Sequence, residues 1–132
     1  DLNGAGGDIL ERVRAFFEKK TTEAEQRGVN KNRLCFDPGI GFGKTNEENF
    51  ALIANPEKIR VPGTALLMAA SRKRAIGAVC GNPPFEDRMA GTVAAHTASV
   101  LFGADMVRVH DTFEAVQAAR VADAIKQFRK GV

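Results

Sequence analysis

Three short apolar runs, RLCFD (33–37), TALLMAA (64–70) and MVRVH (106–110), are each followed by sequence with helical spacing. That alternation constrains the chain more than any other feature. Strands that alternate with helices connect through right-handed crossovers, which makes the strands parallel neighbours in one sheet. The strand ends at Asp37, Ser71 and His110 are 34 and 39 residues apart, the size of strand–helix units in a barrel or a doubly wound sheet. At 132 residues the chain has room for one domain, and no linker, repeat or low-complexity stretch divides it.

The helices carry their own punctuation. Asp8 followed by Glu11 is an N-terminal capping pattern, and Ile9, Val13, Phe16 and Phe17 then share one face up to a stop at Gly28. Thr45 with Glu48 opens a second helix that runs to about Ala54, before Pro56, Pro62 and Gly63 interrupt the chain. A short helix is expected over 74–79 and a longer one, rich in small residues, over 86–102. The last helix spans 112–130, capped by Asp111, with Phe113, Val116, Val121, Ile125 and Phe128 as its expected core face.

Composition removes several function classes. The 19 Lys and Arg against 16 Asp and Glu leave a net charge of +3, dispersed along the chain. Without a basic stripe, Trp or Tyr, nucleic acid is an unfavourable partner. The apolar runs are too short for a membrane span, and DLNGAGGDIL lacks the pattern of a secretory leader. Cys35 and Cys80 fit neither a disulfide framework nor a metal-ligand spacing, which points to a reducing cytoplasm. A small anionic ligand remains.

The unusual residues collect at the strand ends. In MVRVH, Arg108 and His110 share one face while Val107 and Val109 share the other, a costly pattern unless the first face lines a wet mouth. Ser71-Arg72-Lys73 puts cations at a helix N-terminus, against the helix dipole, and an anionic or carbonyl-bearing ligand would remove that conflict. GIGFGKT is no phosphate loop, because Pro38 stands where the pattern needs its first glycine. Lys44 likewise replaces the third glycine of a dinucleotide fingerprint. Its glycines still permit close backbone approach to a ligand. Asp37 shares a face with Cys35 and serves equally as a turn former or as a carboxylate facing a heterocycle. His96, in AGTVAAHTASV, suits packing or an interface better than ligation.

In this order, FDPGIGFGK, SRKRAIG and RVHD resemble the dihydropteroate synthases, and DRMAGTVAAHTASVLFGA is similar to that family's stretch before its last strand. The resemblance covers about residues 8–128 and implies a (β/α)8 barrel. Its reaction joins 6-hydroxymethyl-7,8-dihydropterin diphosphate to 4-aminobenzoate and releases pyrophosphate. By position, Asp37 would bind the pterin's amino and ring NH groups, and Lys73 would contact the pterin and frame the aminobenzoate pocket. Gly41 and Phe42 would border that pocket, Ser71 and Arg72 would position the aminobenzoate, and Arg108 and His110 would hold the diphosphate. Asp37 and Lys73 are the expected catalytic pair. The chain departs from the family by carrying Ala69 where a glycine is common.

A (β/α)8 barrel takes about 250 residues, and only three strands are visible. The expectation is therefore the C-terminal half of such a barrel, one partial domain over 1–132, inactive alone. Its magnesium-binding residue would lie in the N-terminal half, and the intact enzyme would be a homodimer. The alternatives are another pterin-binding barrel, such as a methyltetrahydrofolate methyltransferase, or a non-catalytic half-barrel assembly unit. The inner faces of the sheet, with Cys35 and Met68, would then lack opposing side chains.

Overall fold

The computed structural model describes residues 8–131, so DLNGAGG lies outside the described residues. Helix α1 (Ile9–Gln26) starts as its cap pattern predicts, with Asp8 accepting the Glu11 N–H at 2.9 Å. Strand β1 (Cys35–Phe36) follows, then α2 (Asn46–Ala54), a one-turn α3 (Pro56–Ile59), β2 (Ala65–Met68), α4 (Arg74–Val79), α5 (Met89–Leu101), β3 (Met106–Val107) and α6 (Thr112–Phe128). Thr45 and Glu48 close a full capping box on α2, each side chain accepting the other's backbone N–H. The three strands are parallel in the order β1-β2-β3, with Cys35 opposite Ala65 and Leu67 opposite Met106. This is the α/β arrangement expected of part of a barrel.

Register decides which side chains face which way. Leu66 and Met68 are fully buried beneath the helices, and Phe17 of α1 stacks on Phe36 at 4.6 Å. Cys35, Leu67 and Met106 point to the opposite face, where the Cys35 and Met106 sulfurs lie 3.9 Å apart. Met68 thus belongs to the helix-covered core and not to the inner face, because strand side chains alternate. At the other end of the strands Asp105 accepts the Leu66 N–H at 2.8 Å and pairs with Arg60, whose guanidinium also donates to the Gly103 carbonyl.

Several boundaries differ from the sequence expectation. β1 and β3 shrink to two residues each, since each has a strand on one side only. The stretch from 86 begins as a turn of tight helix over Phe85–Asp87, and α5 proper starts at Met89. Phe16 is partly exposed, so the buried face of α1 is Ile9, Val13, Phe17 and Thr21.

The largest correction concerns α6. Its inward residue is Ala122, and Ala115, Ala118 and Ala119 face a gap of about 10 Å³ beside α5. Phe113, Val116, Val121, Ile125 and Phe128 all face outward, with Phe128 77% exposed. Small residues allow the two helices to approach closely, which leaves the bulky apolar face without cover among the described residues. Close approach also marks the α4–α5 contact, where a Cβ on Gly91 would lie 2.6 Å from Ile76 Cγ2. No helix among the described residues is long and apolar enough to cross a membrane.

Candidate ligand-binding rim

The loops after β1, β2 and β3 meet at the C-terminal edge of the sheet, where side chains tie them together. The first loop is curled around a cation. Asp37 Oδ1 accepts the Gly39 N–H at 2.8 Å, closing a turn, and Lys44 Nζ donates to the carbonyls of Gly39 (2.9 Å) and Phe42 (3.2 Å). Gly41 sits at φ 86°, a conformation open mainly to glycine, and its N–H is held at 2.9 Å by the amide oxygen of Asn49, buried in α2. A side chain at 41 would also press on Lys73, 3.3 Å from its Cδ.

Lys73 joins this loop to the second. Its ammonium donates to the Ile40 carbonyl at 2.5 Å and lies 5.1 Å from the Phe42 ring centroid. Burial holds its pKa below the ordinary lysine value, opposed by Asp37 and assisted by Arg108 and Lys44. Burial lowers Lys44 in the same sense. Both amines are the poorly hydrated kind that gains most from an anion nearby.

The second loop reaches the third through two pairs. Ser71 Oγ and His110 Nδ1 lie 2.7 Å apart, and the His110 N–H donates to the same oxygen at 3.1 Å. Arg72, at φ 57°, donates from Nη2 (2.7 Å) and Nε (3.2 Å) to the two oxygens of Asp111. That pairing raises the arginine pKa and lowers the Asp111 carboxyl below the usual carboxylate range. Phe85 packs beneath both, 5.2 Å from the guanidinium and edge-on to the His110 ring at 5.3 Å. Asp111 therefore does not cap α6 with its side chain, as the sequence led one to expect, because Arg72 takes both oxygens.

Two cavities open on this rim. The larger, about 730 Å³, is lined by Gly41, Phe42, Lys44, Asn49, Lys73 and Arg74, among others. The smaller, about 300 Å³, is lined by Ala69, Ser71, Lys73, Arg108, Val109 and His110. Lys73 borders both. Of the residues anticipated from sequence, Gly41, Phe42, Ser71, Lys73, Arg108 and His110 line one or the other, while Asp37 and Arg72 line neither. Sequence reasoning missed Lys44, Asn49 and Arg74. Lys44 and Arg74 lie within the motifs FDPGIGFGK and SRKRAIG, and Asn49 carried a signal as a polar residue inside the apolar helix run NFALIA. Among the described residues no cluster of three or more His, Cys, Asp or Glu side chains is placed to hold a metal.

The family model of pterin binding enzymes matches residues 2–110. Dihydropteroate synthase from Synechocystis is 38% identical over 119 residues, covering 90% of this chain and 41% of that protein. The structure of Xanthomonas albilineans dihydropteroate synthase with 4-aminobenzoic acid superposes with a TM-score of 0.87 at 37% identity, over 95% of this chain and 46% of that one. The same enzyme in complex with 7,8-dihydropteroate gives 0.87 at 36% identity, over 96% and 49%. This chain spans less than half the length of each.

Proposed function

Because the chain belongs to the pterin-binding enzymes, we propose that it forms the C-terminal half of a dihydropteroate synthase barrel and supplies much of that enzyme's substrate rim. One observation carries the reading: Lys73 borders two adjoining cavities, one edged by an aromatic ring and one by Arg108 and His110. Two flat molecules, one of them a diphosphate, would fit this arrangement.

In this reading the pterin's guanidine-like edge meets the Asp37 carboxylate, whose Oδ2 is left by the turn to accept from it. The diphosphate lies in the smaller cavity beside Arg108 and His110. Ser71 supports that role, since donating its proton to Nδ1 leaves Nε2–H of His110 directed at the anion. Aminobenzoate occupies the larger cavity against Phe42 and the Gly41 loop. Ser71 and Arg72 act on it through the loop they shape, the Arg72 side chain being engaged by Asp111.

In the reaction, the bond between the pterin methylene and the diphosphate oxygen breaks. The amine of aminobenzoate forms the new carbon–nitrogen bond and loses a proton. Positive character on the pterin faces Asp37, and the leaving pyrophosphate faces Arg108, His110 and Lys73, charges aimed where charge develops. Holding both substrates in line supplies the rest. No protein nucleophile is needed.

Magnesium is implied by the family resemblance, but the residues here do not fit it. Among the described residues no cluster of three or more His, Cys, Asp or Glu is placed to hold a metal, and the rim carboxylates Asp37 and Asp111 are engaged by the Gly39 N–H and by Arg72. Free, exposed Cys35 and Cys80 support a reducing, cytoplasmic setting. A second reading, an assembly unit without activity of its own, is favoured by the outward apolar face of α6 and the single-sided pairing of β1 and β3. The other half-barrel, and a second copy in a homodimer, would cover such surfaces.

Arg108→Ala tests the assignment. Its side chain is exposed, so the expected loss is modest, about 1 kcal/mol in affinity for the pterin diphosphate. Affinity for the pterin alcohol should stay unchanged. Calorimetry with both ligands separates the outcomes: equal weakening would remove Arg108 from the diphosphate. Binding of methyltetrahydrofolate in preference to the pterin diphosphate would favour a methyltransferase.

A further inference from the structure

Arg88, Thr92 and His96 stand four residues apart on α5 and its N-terminal flank, so they form one row along the helix. Each makes a hydrogen bond to the backbone of the loop after β2. Arg88 Nη1 donates to the Arg72 carbonyl at 3.0 Å. Thr92 Oγ1 accepts the Arg72 N–H at 2.8 Å while donating to the Arg88 carbonyl at 2.8 Å. His96 Nε2 accepts the Ala70 N–H at 3.0 Å. We propose that this row is a positioning stripe that fixes residues 70–72 and thereby aims Ser71 and Lys73 into the smaller cavity.

The loop needs such a device. Arg72 adopts φ 57°, a left-handed conformation that residues other than glycine seldom take and that persists where the surroundings over-determine it. Here both backbone groups of Arg72 are taken up by the stripe. The stripe is itself anchored: Arg88 Nε donates to the Pro83 carbonyl at 3.0 Å, and its guanidinium fills the space over Gly77, where a Cβ would lie 2.8 Å from Cζ. Thr92 and His96 are 3% and 5% exposed, too deep to meet a ligand themselves. They act through Ser71 and Lys73, whose chain neighbours Ala70 and Arg72 they hold from the helix side.

Thr92→Val keeps the shape of the side chain and removes the hydroxyl that accepts from Arg72 and donates to Arg88, while Thr92→Ser keeps that hydroxyl. Amide exchange at Ala70 and Arg72 reads the loop directly, and calorimetry with inorganic pyrophosphate reads the cavity. Thr92→Val should speed Arg72 exchange and weaken pyrophosphate binding, each about tenfold, and Thr92→Ser should restore both. If the valine variant does not fold, Arg88→Lys, which cannot reach both carbonyls, should show the same two changes. Exchange and affinity unchanged in the valine variant, or lost equally in the serine variant, would overturn the stripe. The binding arm rests on the anion reading of the cavity. If the unmodified chain fails to bind pyrophosphate, that reading falls, and the stripe stands or falls on the exchange rates alone.

Discussion

Between pH 6.5 and pH 4 the chain is expected to lose about 3 kcal/mol of stability through His96 alone. The side chain is 5% exposed, and Nε2 accepts the Ala70 N–H at 3.0 Å, so the fold needs the neutral ring. Burial, with a smaller contribution from the nearby Lys73 charge, lowers its pKa from 6.5 to about 4. The residues of β3 and α6 that line the small cavity beside it, Val107, Ala115, Ala118 and Ala119, are apolar, and its buried Nδ1 has no hydrogen-bond partner among the described residues. In the window between the two values the unfolded chain binds the proton and the folded chain does not. Stability is therefore fully present above pH 6.5 and drains as pH falls toward 4, at about 1.4 kcal/mol per unit. Urea unfolding at pH 7, 5.5 and 4 measures the slope. His96→Gln provides an acceptor that does not titrate, so its stability should fall less steeply, and parallel pH curves for the two proteins would contradict the role.

Asp37→Asn should weaken pterin binding by ~1.5–3 kcal/mol, the range for a hydrogen bond to a charged group, while leaving the loop intact. The geometry makes this substitution clean. Asp37 Oδ1 accepts the Gly39 N–H, and an asparagine oxygen accepts it equally well, so the turn survives and only charge and one acceptor are lost. Removing the carboxylate also takes away the anion that favours the Lys73 ammonium, which leaves the burial of that amine less opposed. Calorimetry with the pterin alcohol isolates the effect from the diphosphate. An affinity equal to that of the unmodified chain would place the pterin edge elsewhere on the rim.

What could be read in advance follows from the range of the interactions. The caps at Asp8 and Thr45 are contacts three residues long, and their residue types are visible in any linear reading. Arg108 and His110 stood out as two polar residues in an apolar run, but the alternation expected there fails: β3 ends at Val107, and Val109 lines the same cavity as both. The outward face of α6 was misjudged for a physical reason. Periodicity reports where apolar residues gather, whereas packing against α5 selected the alanines, since only they allow the helices to approach. The Arg72–Asp111 pair and the bonds from Thr92 and His96 span 20 to 39 residues and have no local signature. Lys73 was anticipated as a ligand contact, but its bond to the Ile40 carbonyl, which ties the first two loops together, emerges only from the fold.

The central claim is that the three strand-end loops form one site for a pterin diphosphate, and a heteronuclear NMR titration of this chain with 6-hydroxymethyl-7,8-dihydropterin diphosphate tests it most directly. The expected result is saturable shifts at Gly39 to Phe42, Ser71 to Lys73 and Arg108 to His110 in a single binding event, with the amides around Arg60 and Asp105 at the opposite ends of the strands undisturbed. Shifts confined to one loop, or concentrated on the outer apolar face of α6, would contradict it.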